Sequence, residues 1–163
     1  ITFESLKKEL GLGLSKTIEN LINKEELKNI KLSLKTGFDF VFEKQDYISG
    51  LHILIPYMEE VIRLIIKKIG RVEVVLEQHK TKFFRGIELG GLLTDKNVEE
   101  LIGLDFQKSL KVLLVDNDQT NLRNELLHGR FASEKINEAE TLFVAYCLLK
   151  LIKIMKDTTA KVQ

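Results

Sequence analysis

The residues Asn121-Leu122-Arg123-Asn124-Glu125-Leu126-Leu127-His128-Gly129-Arg130 gather two guanidiniums, two carboxamides and an imidazole into ten positions. Imidazole titrates near neutrality and can serve as base or acid. Guanidinium is a planar, permanently charged fork that fits phosphate. Asn124 could hold a phosphate oxygen or fix the imidazole tautomer. Together these groups suit cleavage of RNA by its own 2′-hydroxyl. That reaction needs a base for the hydroxyl, an acid for the departing 5′-oxygen and positive charge on a phosphorane-like transition state. One copy of the motif supplies one imidazole, hence one proton-transfer role. Two copies across a two-fold axis would fill both. A plainer account is also open. His128 could interact with the last carbonyls of a helix, and Arg123 could form a structural ion pair with Glu125 or with a core carboxylate such as Glu59.

The spacing predicts a short helix. Leu122 and Leu126 fall four apart and turn toward a core, while Asn124 and His128 share another face. Gly129 follows the last periodic residue, where a left-handed C-terminal cap is expected. Arg123 lies in the first turns, where the helix dipole mildly disfavours a cation, so a demand other than helix stability accounts for it. On an ideal helix Arg123 and His128 point roughly 140° apart. They converge only if the helix ends near His128, which Gly129 permits, or if the Arg side chain curls around.

The string Arg123-Asn124-Glu125-Leu126-Leu127-His128-Gly129, R-N-x-x-x-H-G, resembles the signature of the HEPN superfamily of helical domains, many of them RNA-cleaving. More narrowly, it is similar to a domain-of-unknown-function family, within or near HEPN, defined by that string. A second string carries the same resemblance: His52-Ile53-Leu54-Ile55-Pro56-Tyr57-Met58-Glu59 and then Arg63, similar to an upstream H-x-L-I-P-x-x-E-x-x-x-R. The resemblance carried by the two strings covers roughly residues 45 to 155, and residues 1–36 carry no such likeness. The resemblance implies an all-α, HEPN-like helical bundle. It further implies a metal-independent endoribonuclease acting as a homodimer on RNA, with Arg123, Asn124 and His128 catalytic, no cofactor, and a 2′,3′-cyclic phosphate product. His52, Glu59, Arg63 and Gly129 take supporting places. The alternative is a non-catalytic HEPN-like helical module that dimerises or binds RNA or nucleotide.

Composition bounds these expectations. At 163 residues the chain has the length of one domain with a sizeable core. A net charge of +1 is far from the strongly basic balance of phosphate-tracking domains, so any RNA contact must be local. The single Cys147 excludes an internal disulfide and suits a reducing, cytoplasmic setting. Three His and one Cys leave no zinc-ligand spacing. Lys and Glu interrupt every long apolar run, so no membrane span is expected. No signal peptide is visible, and a start at Ile1 without Met predicts an excised domain with other domains in a longer parent chain.

Around the motif, residues 1–36 read as an N-terminal helical extension and 37–163 as the HEPN-like domain. Leu6, Leu10, Leu14, Ile18, Leu21 and Ile22 follow helical spacing, with Gly11-Leu12-Gly13 as a hinge. Thr36-Gly37 is expected to punctuate, and Asp46 to cap a helix over 46–69. In that helix Leu51, Leu54, Ile55, Met58, Ile62, Ile65 and Ile69 form one stripe. Ile53, Val61 and Leu64 lie on the far side, so the helix is apolar nearly all round; such a helix is usually buried, or buries a second face against a partner, which a two-fold dimer would use. His52, Glu59 and Arg63 fall within about 40° of each other on a narrow polar stripe. Pro56 predicts a kink without a break. Arg71–Leu76 and Lys82–Ile87 could form one short β-hairpin. Leu89–Leu93, Val98–Ile102 and Phe106–Val115 read as short helices, and Asp116–Thr120 as a polar turn. Ser133 is expected to cap a last helix with Ile136, Ala139, Phe143, Cys147, Leu151 and Ile154 buried.

Overall fold

The computed structural model describes residues 14–68, 89–116, 122–129 and 137–159, and every regular element among them is helical. In chain order these are α1 (Leu14–Ile22), a 3-10 turn (Glu25–Leu27), α2 (Lys31–Phe42), α3 (Tyr47–Lys68), α4 (Leu89–Leu92), α5 (Lys96–Ile102), α6 (Leu104–Leu114), α7 (Leu122–Leu127) and α8 (Glu138–Thr159). The fold is all-α. The expected hairpin, the hinge at Gly11–Gly13 and the cap at Ser133 lie outside the described residues.

The helix α3 begins as its sequence predicts. The Asp46 carboxylate accepts from the Ser49 backbone N–H at 3.1 Å, which satisfies one donor of the first turn. That bonding to Ser49 holds the Asp46 carboxyl below its ordinary value. Leu51, Leu54, Ile55, Met58, Ile62 and Ile65 are all buried. The helix continues through Pro56. Because proline has no N–H, the carbonyl of His52 loses its partner one turn on.

Apolarity around all of α3 has a cause within the chain. Helix α2 packs on one flank and α8 on another, with α4 and α7 completing the surround. Val61, placed by sequence on the far side, is fully buried among them. The other two far-side residues, Ile53 and Leu64, are half-buried, so the chain itself covers part of this second apolar face.

The expected punctuation at Thr36-Gly37 is corrected. Both residues sit inside α2, which runs unbroken from Lys31 to Phe42. Gly37 is there for close approach: a Cβ on it would come 2.5 Å from Leu54 Cδ2, well inside van der Waals contact. Gly50 of α3 faces Val41 of α2 in the same way. A boundary between residues 36 and 37 would cut this helix. Ile18, Ile22, Leu27 and Leu34 also join the same core as α3 and α8. On the surface, Lys35 donates to Glu19 at 2.9 Å, tying α1 to α2.

At the other end, Asn137 caps α8. Its side-chain oxygen accepts from Glu140 N–H at 2.8 Å. The buried surface of α8 is broader than one stripe, since Val144, Ala145, Leu148 and Ile152 are enclosed along with Cys147 and Leu151. Ala139, expected inside, is exposed. Helices α1, α2, α3 and α5 all pack on α8, which explains why so little of it meets water.

Candidate functional site

The motif helix α7 spans six residues, too short to persist alone. Its hold on the protein comes from Leu122 and Leu126, buried as the four-residue spacing predicts, in a seat formed by α3 and α6. With those two fixed, Arg123 is carried against α3. One guanidinium nitrogen, Nη2, lies 3.2 Å from Glu59 Oε2. The other, Nη1, donates to the Asn124 side-chain oxygen at 3.1 Å. The second oxygen of Glu59 accepts from Arg63 Nη2 at 2.7 Å.

One carboxylate thus receives two guanidiniums, and a carboxamide braces the nearer of them. Among the described residues, both guanidiniums meet at the Glu59 carboxylate. The cluster is half-buried, with side-chain exposure of 27% at Arg123 and 21% at Glu59. About a quarter of the Arg123 side chain thus remains exposed. The partial burial also makes its charge count for more than on an open surface. Of the two carboxylates considered for Arg123 from the sequence, Glu59 is the partner.

His128 lies just past the end of α7. Its backbone N–H still reaches the Asn124 carbonyl at 3.0 Å, and Gly129 N–H bonds to the Leu126 carbonyl at 3.1 Å. Gly129 has φ of +63°, the left-handed conformation expected of a residue following a helix. The imidazole is exposed and makes no side-chain hydrogen bond to the Arg123–Glu59 cluster among the described residues. The structure therefore brings Arg123, Asn124, Glu59 and Arg63 together and leaves His128 exposed past the opposite end of α7, outside that cluster.

His52 goes elsewhere. It shares a stripe of α3 with Glu59 and Arg63, but it opens onto a groove of ≈ 420 Å³ between α2 and α3, lined also by Leu32, Ser33, Thr36, Ile53, Pro56 and Tyr57. Sequence reasoning missed the α2 side of this groove. One signal was present: Leu32, 79% exposed, sits among polar neighbours where an amphipathic helix would place another polar residue.

Among the described residues no three His, Cys, Asp or Glu side chains converge as a metal-binding set, and no helix is long and apolar enough to cross a membrane. Compared with protein-family models, curated proteins and solved structures, the chain matches none.

Proposed function

We propose that this chain is a metal-independent endoribonuclease domain, with Arg123, Asn124 and His128 as its reacting set. The observation that carries the reading is the placement of Arg123. Its guanidinium is braced by Glu59 and Asn124, it retains a partly exposed side, and an exposed imidazole stands past the opposite end of the same short helix. In the reaction His128 takes the proton of a 2′-hydroxyl as that oxygen bonds to phosphorus. The bond from phosphorus to the 5′-oxygen breaks, and Arg123 stabilises the charge on the non-bridging oxygens. The departing 5′-oxygen needs a proton. A second His128, from another copy across a two-fold axis, supplies it, and this shortfall of one imidazole is what supports a homodimer. RNA is the substrate class, since DNA lacks the attacking hydroxyl.

A second reading is a non-catalytic helical module that dimerises or binds RNA or nucleotide. The Arg123–Glu59 ion pair favours it, because that contact alone gives Arg123 a structural task. Incubating RNA with the purified wild type and with His128→Ala separates the two. Cleavage lost in the variant supports the enzyme. No cleavage of any RNA by folded protein supports the module.

A further inference from the structure

The groove between α2 and α3 is chemically mixed. Ser33, Thr36 and Tyr57 bring hydroxyls and His52 an imidazole, while Leu32, Ile53 and Pro56 give it apolar walls. Pro56 adds a further feature, since its missing N–H frees the His52 carbonyl to accept a bond from outside the helix. The groove is open and mostly apolar, with a volume of ≈ 420 Å³, a shape that takes one flat group against its surface without enclosing a whole ligand. Flat aromatic and imidazole faces beside donors and acceptors are what an unstacked nucleobase requires.

The position of the groove selects among flat ligands. His52, Pro56, Glu59 and Arg63 follow at helical intervals along one stripe of α3. The groove takes the first half of that stripe and the guanidinium cluster the second. Seven residues separate His52 from Glu59, about 10 Å along a helix axis. A nucleotide whose phosphate meets Arg123, held beside Glu59, can therefore place a neighbouring base over His52. We infer that the α2–α3 groove is a base-binding subsite for single-stranded RNA, formed by His52, Tyr57, Ser33 and Thr36. The inference rests on the reading of Arg123 as a phosphate contact, but not on cleavage.

The test uses the whole chain and a short, mixed-sequence single-stranded RNA. A matched strand lacking bases gives the comparison, and uridine monophosphate competes in a third arm. Binding is measured for wild type, His52→Ala and Ser33→Phe, with thermal melts to confirm that each is folded. His52 is exposed, so its removal leaves the core intact. Stacking on one side chain is worth about 5- to 100-fold in affinity, so wild type should prefer the strand with bases by that factor. Both variants should bind the two strands alike, and the free nucleotide should compete only weakly. Equal binding of both strands by wild type overturns the inference. So does undiminished preference in the variants, and so does a free nucleotide that competes as well as the strand. Base-dependent binding without cleavage would remove the nuclease reading and leave this one standing. Cleavage that ignores the groove variants would do the reverse, and no RNA binding at all would remove both.

Discussion

Glu59 Oε2 and Arg123 Nη2, 3.2 Å apart, join the long helix α3 to the six-residue helix α7. The same carboxylate also receives Arg63 at 2.7 Å. Leu122 and Leu126 seat the motif helix, and this one acidic residue then holds its guanidinium against α3. Leu122 and Leu126 fix the helix by burial alone, which is non-directional, whereas the ion pair fixes its rotation.

If that pairing is energetic as well as geometric, Glu59→Gln and Arg123→Ala should be non-additive. Both groups are mostly enclosed, so a coupling of about 1 kcal/mol is expected from a double-mutant cycle. Denaturant unfolding of the wild type, both single variants and the double variant measures it. Additive losses would show that the two side chains meet without stabilising one another.

Gly37→Ala sets two effects against each other. Alanine gains about 1 kcal/mol in helix propensity, but overpacking a closed contact costs about 1–3 kcal/mol. The atoms in the way belong to Leu54, which is fully buried, so the steric cost should win. The melting temperature should drop by a few degrees, given about 2–4 °C per kcal/mol at this size. A rise would mean that α2 and α3 can separate slightly at little cost.

Much of this architecture is legible in the residues. The stripe from Leu51 to Ile65, the cap at Asp46, the inward turn of Leu122 and Leu126, and the left-handed Gly129 all follow from local spacing and turn chemistry. What escapes is whatever depends on a neighbour. Gly37 reads as a break because glycine is a poor helix former, and only the proximity of Leu54 explains it inside one. For the far-side residue Val61, burial within the chain and burial against a partner both stay open in the sequence, because α2 and α8 cannot both be placed around α3 beforehand. Glu59 and His52 share a stripe, yet contacts with α7 and α2 assign them to different places. Asn137, three residues before Glu140 in an N-x-x-E pattern, was a readable cap signal beside the expected Ser133.

Cys147 gives a pH prediction. Burial pushes its thiol from 9.0 up to about 12, with Lys150 pulling weakly the other way. Between those values the folded chain keeps the proton and the unfolded chain loses it. The unfolded state then binds fewer protons, so this contribution to stability falls as pH rises above about 9. Wild type should lose stability over that range more steeply than Cys147→Ala. Near neutral pH an alkylating reagent should label Cys147 only after denaturation. Rapid labelling of the native protein would contradict the enclosure of α8.

A homodimer is proposed because the reaction needs a second imidazole. Light scattering should give twice the chain mass at micromolar concentration, and a mixture of His128→Ala with Arg123→Ala protomers should show how the two copies share the reaction. A strict monomer that still cleaves RNA would show that the missing proton comes from another group.

The central claim is that His128 and Arg123 cleave RNA through the 2′-hydroxyl, and mapping the ends of the products tests it most directly. Wild type in the presence of EDTA should cut RNA, leave a 2′,3′-cyclic phosphate and spare DNA of the same sequence. Loss of one general acid–base group typically costs 10²–10⁴-fold, so His128→Ala should be nearly inactive while melting at the wild-type temperature. Activity that vanishes with EDTA, products without a cyclic phosphate, or full activity in His128→Ala would contradict the account.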